Sequence, residues 1–377
     1  MNIIAAQNGK NKIRYAALGL GWIVQEDVLP AFPNTNNSEL AALISGDETK
    51  QKELGKKYNV PAYSYEQYEE CLKNENIDAV YIGSPNHLHL EHTVRAAKAG
   101  VHILCEKPMA ITENECAQMI NAAKENNVKL MIAYRLHFDK ANMEAVNIVQ
   151  SGKIGEPRFF DSVFSQQVAE GNVRLREPLE NGGGSFYDMG IYCINAARYL
   201  FQDEPTEVFA FIANNGEKRF AKVDEMTSVS MRFPKERLAH FTSSFGAAST
   251  ATLRVVGTKG DLRMDSAYTY AGDLKQEITV EGEKQEQSFS AGDQFGAEIQ
   301  YFSDCILNNK EPEPNGAEGL ADVRIIRAIL ESAKTGKPVK LDEFKLEKRP
   351  TLEQVIQLPA IDTPDRFVNA KDMQGNG

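Results

Sequence analysis

Cysteine is scarce in this chain, and its spacing excludes two kinds of architecture. The 377 residues include five cysteines, which are scattered and never spaced as C-x-x-C. An odd number without close pairs argues against a disulfide framework and against a zinc site built from cysteine pairs. We therefore expect all five to be reduced thiols that pack in the interior.

Long apolar stretches are missing as well. The longest runs, such as residues 130–133, fall far short of the ~18 to 20 residues that span a bilayer. The opening MNIIAAQNGKNK has neither a basic leading region nor a long apolar stretch, so no secretory signal is expected. These observations predict a cytoplasmic protein without a membrane segment.

Positive charge is in deficit. The chain has 42 Lys and Arg residues against 53 Asp and Glu residues, a net charge of −11. Such a protein repels a phosphate backbone, so we expect no nucleic-acid partner. Its hydrophobic content of 42% is ordinary for a globular protein, and its length predicts two domains.

The first third of the chain alternates short apolar runs with longer helical patterns. This alternation is typical of βαβ units around a parallel sheet, and it predicts a Rossmann domain over residues 1–136. The predicted strands are 13–18, 40–45, 79–82, 102–105 and 130–133. The predicted helices are 49–58, 65–74, 90–99 and 112–126, the last with a Thr112-x-x-Glu115 capping box.

The pattern then changes to strands with few crossover helices. The predicted strands are 158–167, 206–212, 225–233, 237–244, 251–256 and 261–265, and the predicted helices are 140–151, 184–200, 294–307 and 316–335. This order predicts an α+β domain over residues 137–336 with an open, mostly antiparallel sheet. The fold class is thus α/β plus α+β.

A tail of weak periodicity follows over residues 337–377. It carries four separate apolar residues, Val355, Ile356, Leu358 and Ile361. They predict that part of the tail docks on this subunit or a neighbour, and a solvated extension is the alternative.

A glycine turn follows the first predicted strand. Gly19 and Gly21 stand just before a helix that is expected to open near Trp22 and Ile23. Free backbone N–H groups and the helix dipole favour a pyrophosphate there. Val24 departs from the third small residue of the G-x-G-x-x-G pattern, so a plain turn between strand and helix is the alternative.

The end of the second predicted strand bears on which dinucleotide binds. Ser45 ends the strand, and Lys50 lies in the first turn of the next helix. A hydroxyl and a cation accommodate a 2′-phosphate, whereas an acid such as Asp47 prefers a free 2′-hydroxyl. We expect NADP, with NAD possible and with a solvated turn as the alternative.

Three further segments carry polar side chains at the ends of predicted strands. The segment with Asn86 and His89 follows the third strand, Glu106 and Lys107 end the fourth, and Arg135 follows the fifth. Ligands of open α/β sheets bind at these carboxyl ends. Lys107 could polarise a carbonyl or stabilise an alkoxide, and Arg135 could hold a substrate hydroxyl or carboxylate. Solvated or salt-bridged side chains are the alternatives.

Asp188 and Tyr192 stand four residues apart in the segment GGGSFYDMGIY. On one helix this spacing places both side chains on one face. Tyr192 could then exchange a proton if Lys107 supplied a nearby ammonium, which favours the phenolate. The alternative is a buried tyrosine next to an aspartate on the surface of the helix.

The spacing of three histidines, His87, His89 and His92, resembles that of a metal-binding motif. No acidic or cysteine partner stands at ligand spacing, and the start of a helix accounts for the polar residues. We therefore expect no metal.

Taken in order, GLG, SPNHLH, CEKP, AYRLHFD and GGGSFYDMGIYCINAARYL resemble the glucose-fructose oxidoreductase and inositol dehydrogenase (Gfo/Idh/MocA) family. The likeness covers about residues 13–336. It is strongest to the glucose-fructose oxidoreductase branch, through LISGDETK, AYRLHFD and the tyrosine of DMGIY. It implies an active site between a Rossmann domain and an open sheet, and association into a homodimer or homotetramer through that sheet.

The resemblance also implies roles for particular residues. Lys107 matches the catalytic lysine, Tyr192 the proton donor or acceptor, and Asp188 the supporting carboxylate. The expected cofactor contacts are Gly19, Gly21, Trp22, Ile23, Ser45, Lys50, Asn86, His89 and Glu106.

The implied function is an NADP-dependent oxidoreductase that moves hydride between the nicotinamide and a sugar hydroxyl or carbonyl. An NAD(P)-dependent glycosidase on the same scaffold and a non-catalytic NADP sensor are the alternatives.

Overall fold

The computed structural model describes residues 12–376. The first twelve residues, in which no secretory signal is predicted, therefore lie almost wholly outside the described part. Within residues 12–376, a first sheet contains six parallel strands in the order β3-β2-β1-β4-β5-β6. The elements that form this half are β1 (Ile13–Leu18), a π-helical turn (Val24–Val28), α1 (Leu29–Ala31), β2 (Ser38–Ile44), α2 (Glu48–Tyr58), β3 (Ala62–Tyr63), α3 (Tyr68–Asn74), β4 (Ala79–Ile82), α4 (His89–Lys98), β5 (His102–Glu106), α5 (Glu113–Glu125) and β6 (Leu130–Ala133). This is the predicted doubly wound Rossmann sheet, whose strand order reverses between β1 and β4.

The local sequence explains where several of these elements begin. The strands of the sheet centre are almost entirely buried and rich in aliphatic residues, as expected for a sheet covered on both faces. Thr112 and Glu115 form the predicted capping box at the start of α5. The short edge strand β3 was not predicted, because two residues carry no periodicity.

The second half of the described chain forms a sheet of nine strands. Its elements are α6 (Lys140–Gln150), β7 (Pro157–Ser165), a π-helical turn (Phe186–Gly190), α7 (Ile191–Phe201), β8 (Glu207–Ala213), β9 (Met226–Phe233), β10 (Arg237–Ser244), β11 (Thr250–Gly257), β12 (Gly260–Asp265), β13 (Leu274–Val280), β14 (Glu283–Phe289), α8 (Gln294–Leu307), α9 (Gly316–Thr335) and β15 (Val339–Lys340). The strand order is β14-β13-β12-β11-β7-β10-β9-β8-β15, and every pair is antiparallel except β7 with β10. The predicted open, mostly antiparallel sheet is confirmed.

The helices after the second sheet return to the first. α8 buries Phe295, Ile299 and Phe302 against the Rossmann sheet, and the Tyr15 hydroxyl lies 2.8 Å from the Ser303 hydroxyl. α9 packs on both α5 and β8. These contacts fix the two sheets relative to each other and so position the cleft between them. Among residues 12–376, no helix combines the length and the apolar character needed to cross a bilayer.

The tail docks on its own chain. Val355 packs against one hydrophobic core, Ile356 and Ile361 pack against the other, and Pro359 forms a β-bridge with Gly292. The first alternative predicted for the tail is therefore the one found in the structure.

Candidate active site

The glycine turn after β1 is open to a ligand on one side and tightly packed on the other. Gly19 has φ +87°, and a Cβ atom there would lie 2.5 Å from the backbone nitrogen of Ser84. A Cβ atom on Gly21 would meet nothing within 4 Å. The helix begins at Trp22, as predicted, so its first backbone N–H groups lie next to the open space at Gly21.

The EKP segment leaves the end of β5, which is separated from β1 by β4 in the same sheet. The Tyr81 hydroxyl donates to Glu106 Oε1 at 2.6 Å, and the backbone N–H of Lys107 donates to Glu106 Oε2 at 3.2 Å. Burial raises the pKa of Glu106, although the Lys107 ammonium opposes the shift. Glu106 is thereby held in place next to Lys107.

Lys107 reaches from the Rossmann domain to the second domain. Its Nζ atom donates to the backbone oxygen of Asp188 at 2.8 Å and lies 3.3 Å from Asp188 Oδ1. The other carboxylate oxygen of Asp188 accepts from Arg174 Nε at 2.6 Å. Asp188 thus lies between two cations, one from each domain.

Tyr192 joins this cluster from the first turn of α7. Lys107 Nζ lies 4.7 Å from the centroid of the Tyr192 ring. Asp188 belongs to the preceding π-helical turn, so the two residues are not on one regular α-helix as the i, i+4 argument assumed. The structure nevertheless brings Lys107, Asp188 and Tyr192 together.

The charges of the cluster stabilise one another. Burial alone would lower the pKa of Lys107, but the neighbouring acidic groups Tyr192, Asp188 and Glu106 outweigh it and raise that pKa. Burial alone would raise the pKa of Asp188, but Arg174 and Lys107 outweigh it and lower that pKa. The ammonium and the carboxylate therefore both stay charged around neutral pH.

Arg135 lies behind the tyrosine and is only 4% exposed. Its guanidinium carbon lies 4.9 Å from the centroid of the Tyr192 ring, and the group donates to Gln294 Oε1 and to the backbone oxygen of Tyr268. These contacts hold the guanidinium against the tyrosine ring, and the substrate contact of Arg135 stays a prediction.

The predicted 2′-phosphate residues lie together at the end of β2. Ser45 is buried, and its hydroxyl accepts the backbone N–H of Asp47 at 3.2 Å. Asp47 caps α2, where its Oδ1 atom accepts the N–H groups of Thr49 and Lys50. Burial lowers the pKa of Lys50, although Asp47 opposes the shift.

Asn86 and His89, both expected at the nicotinamide end, have different surroundings. Asn86 Nδ2 donates to the backbone oxygen of Gly182 at 2.8 Å and so ties the two domains together. His89 is fully buried, with Nδ1 3.0 Å from the Pro108 carbonyl oxygen and Nε2 2.9 Å from that of Ser84. Both ring nitrogens of His89 thus face backbone carbonyl groups, and its contact with the cofactor stays a prediction.

Sequence reasoning missed Arg174. It lies in a single 3-10 turn, Val173–Leu175, and its guanidinium carbon lies 5.5 Å from the centroid of the Trp22 ring. The only available signal was an arginine within the loop 168–181, which carries no periodicity. Gln294, the partner of Arg135, was missed in the same way, because a glutamine at the start of a helix is unremarkable.

Comparisons with known proteins identify the family of the chain. Residues 13–134 match the "Oxidoreductase family, NAD-binding Rossmann fold", and residues 143–263 match the "GFO/IDH/MocA C-terminal domain". The chain is 33% identical over 340 residues to a D-xylose 1-dehydrogenase [NADP(+)] of Haloarcula marismortui, covering 88% of this chain and 94% of that protein. A D-xylose 1-dehydrogenase (NADP(+)) of Haloferax volcanii is 31% identical over 87% of this chain and 99% of its own length.

A solved structure is similar over the whole fold. The aldose-aldose oxidoreductase from Caulobacter crescentus, crystallised with glycerol, superposes with a TM-score of 0.83 and 37% identity, covering 88% of this chain and 100% of that one. The predicted fold class, family and class of enzyme are confirmed. The chain belongs to the Gfo/Idh/MocA family of oxidoreductases.

Proposed function

We propose that this protein is an NADP-dependent oxidoreductase that transfers hydride between the nicotinamide and a carbon of a sugar. The observation that carries the proposal is the cluster of Lys107, Asp188 and Tyr192 beside the open glycine turn. An ammonium held against a phenol is suited to moving the proton of a hydroxyl group.

The residues at the turn and at β2 fit a dinucleotide. The open space above Gly21 would admit a pyrophosphate on the backbone N–H groups at the helix start. Ser45 and Lys50 would hold the 2′-phosphate, and Glu106 and Asn86 would border the nicotinamide end. When bound, the nicotinamide supplies the hydride acceptor or donor of the reaction.

The chain itself would handle the proton. When a sugar hydroxyl is oxidised, its proton passes to the Tyr192 phenolate, and the reverse reaction returns it to the carbonyl oxygen. Lys107 stabilises the developing oxyanion and the phenolate through charge. Asp188 holds the Lys107 ammonium, and Arg135 holds the tyrosine ring.

An aldose is the substrate class that we propose. Two similar proteins are named D-xylose 1-dehydrogenases, and a third is named an aldose-aldose oxidoreductase. Oxidation at carbon 1 of an aldose would give a lactone. It removes one hydride and one proton, the two species that the cofactor and Tyr192 would accept.

The test is a panel of aldoses, ketoses, inositols and diols, each with NADP and with NAD, followed through the absorbance of the reduced nicotinamide. We expect reduction with an aldose and NADP, and a lactone as the product. Release of free sugar from an aryl glycoside without net reduction would contradict the proposal. So would a cofactor that binds and is never reduced by any member of the panel.

We also propose that the protein is a homodimer or homotetramer associated through the second sheet. One face of this sheet exposes four large apolar side chains from four neighbouring strands, namely Phe159, Phe211, Met226 and Leu238. Exposed apolar patches of this kind are typical of association surfaces. Light scattering should give a multiple of the chain mass of 41.9 kDa, and Leu238→Asp should reduce it.

A cytoplasmic location is the remaining part of the proposal. It is supported by the five cysteines, which are all buried free thiols in the structure. Recovery of the protein in the cytoplasmic fraction of its native cells would agree with it.

A further inference from the structure

The last residues of the tail bridge the two domains. We call residues 366–373 the C-terminal strap. They contact α2, the start of the first helix, and the loop of the second domain that carries Arg174.

The strap is bound to the first helix through Gln25. The backbone N–H of Val368 donates to Gln25 Oε1 at 2.8 Å, and Gln25 Nε2 donates to the Val368 oxygen at 2.9 Å. The same Nε2 atom donates to the backbone oxygen of Leu20, the middle residue of the glycine turn. One buried side chain therefore joins the strap to the turn.

The strap also covers the end of β2. Asn369 Nδ2 donates to Asp47 Oδ2 at 3.0 Å, and Arg366 lies 3.6 Å from Glu53 on α2. Asp47 already accepts two backbone N–H groups with its other oxygen. Asn369 thus occupies the carboxylate oxygen that would otherwise be free to accept a ribose hydroxyl.

The far end of the strap is anchored in the second domain. Asn172 Nδ2 donates to the Asp372 oxygen at 2.8 Å, and the backbone N–H of Ala169 donates to the Met373 oxygen at 2.9 Å. Met373 is 3% exposed and lies in a hydrophobic cluster against which Trp22 packs. The strap is therefore held on both sides of the cleft.

These contacts follow the path that a dinucleotide takes in this fold. Adenosine lies at the end of β2, the pyrophosphate at the glycine turn, and the nicotinamide at the carboxyl ends of β4 and β5. We propose that the C-terminal strap is the outer wall of the cofactor site, that it must detach for the cofactor to exchange, and that Asn369 favours NADP over NAD by occupying Asp47. This inference rests on the proposed use of NADP.

An engineered disulfide between the end of the tail and the second domain provides the sharpest test, because a reductant can open it again. We call this disulfide the lock. A Cβ atom at position 375 would lie 3.1 Å from the Cβ atom of Ala169, close to the ~3.5 to 4.5 Å of a disulfide. Ala169→Cys with Gly375→Cys can therefore form the bond once the backbone at position 375 relaxes from its φ of +91°, which disfavours a side chain. The native cysteines are buried and do not compete. Mass spectrometry of the alkylated protein reports whether the lock is closed.

The measurement is the rate at which bound NADPH is displaced by excess NADP, followed by the fluorescence of NADPH. Relative to the full chain, a chain ending at Pro364 should release NADPH about tenfold faster or more, since the loss of contacts worth ~1.4 kcal/mol already gives that factor. The oxidised lock, loaded with NADPH beforehand, should release it about tenfold more slowly, and a reductant should restore the rate. Gln374→Ala, an exposed position just beyond the strap, is the matched control.

The outcomes separate this inference from the proposed function. Release rates within about twofold of each other in the full, shortened and locked chains would overturn the inference, even if sugars are oxidised. Strap-dependent release without turnover of any sugar would support the inference and contradict the proposed function. A full chain that binds neither nicotinamide cofactor would overturn both.

The preference for NADP is tested by measuring the affinities of the full chain and of one further variant for NADP and for NAD. Asn369→Ala should reduce the ratio of NADP affinity to NAD affinity severalfold, because Asp47 is then free to accept the ribose hydroxyl of NAD. An unchanged ratio would remove Asn369 from the proposal.

Discussion

Replacing Asp188 by asparagine tests how the catalytic lysine is held. The substitution keeps the size of the side chain and removes its charge. In the native protein, Asp188 Oδ1 lies 3.3 Å from Lys107 Nζ, and Oδ2 accepts from Arg174 Nε at 2.6 Å. The backbone bond from Lys107 to the Asp188 oxygen, at 2.8 Å, is unaffected by the change.

The size of the effect follows from these contacts. A hydrogen bond that involves a charged group contributes ~1.5 to 3 kcal/mol, against ~0.5 to 1.5 kcal/mol for a neutral one. The amide of the Asp188→Asn variant would keep a neutral oxygen near Lys107, so about 1 to 2 kcal/mol of stabilisation is lost. This corresponds to a fall in kcat/KM of about 5- to 30-fold.

The pH dependence of kcat/KM tests the contact between Asp188 and Lys107 in a second way. The Asp188 carboxylate is one of the groups that raise the pKa of Lys107. Without it, the ammonium loses its proton at a lower pH. The basic limb of the kcat/KM profile of Asp188→Asn should therefore move to lower pH.

Initial rates with the best sugar of the panel, at saturating NADP, provide the assay. Glu180→Gln removes an exposed carboxylate from the preceding segment and is the control. Arg174→Gln, alone and combined with Asp188→Asn, completes a double-mutant cycle in which we expect a coupling energy of ~1 to 3 kcal/mol. Full activity of Asp188→Asn with an unshifted basic limb would refute the reasoning.

Three further predictions concern the turn and the buried charges. Gly19→Ala should lower the Tm, because its Cβ atom would lie 2.5 Å from a backbone nitrogen. Gly21→Ala should keep the Tm and weaken NADP binding, because its Cβ atom would enter the open side of the turn. The reverse pattern would contradict the assignment of the open side. Burial, helped by Glu26, raises the pKa of Asp27 to about 8, above its unfolded value of ~3.9, so this group makes the protein less stable as pH rises from about 4 to 8. Asp27→Asn should remove a slope of up to ~1.4 kcal/mol per pH unit from urea unfolding in that range, and an unchanged slope would contradict the assignment. Arg198→Ala should cost ~3 to 5 kcal/mol, because it leaves the buried carboxylates of Glu318 and Asp322 without the cation that pairs with them, while Glu204 keeps its ion pair with Arg349. A loss below ~1 kcal/mol would count against this network.

The parts of the fold that the sequence predicted are those with strong periodicity. Five of the six strands of the Rossmann sheet, all except β3, and helices α8 and α9 were predicted within about two residues of their ends, because their buried faces follow one regular period. The hairpin of β13 and β14 was missed. β14 reads EKQEQSF and is mostly exposed, so no alternation of apolar and polar residues marks it as a strand.

The residues of the candidate site that directly follow strands of the Rossmann sheet could be predicted from the sequence. Lys107 and the glycine turn follow strands of one parallel sheet, so their proximity follows from topology alone. The spacing of Asp188 and Tyr192 suggested a shared polar site, but the proximity of Tyr192 to Lys107 followed only from the resemblance, since no local pattern relates a helix in the second domain to β5. Arg174 lies in a single 3-10 turn and the strap in an irregular segment, and in both places long-range contacts and not periodicity determine the position of a residue.

The central claim is that Tyr192 exchanges the proton of the sugar hydroxyl beside the Lys107 ammonium. Its most direct test is the turnover of Tyr192→Phe compared with Tyr187→Phe, which removes a hydroxyl from a core tyrosine of the preceding turn. We predict that Tyr192→Phe loses ~10² to 10⁴ in kcat, with NADP affinity within a few fold of the native value, while Tyr187→Phe keeps its turnover. Native turnover in Tyr192→Phe would contradict the account.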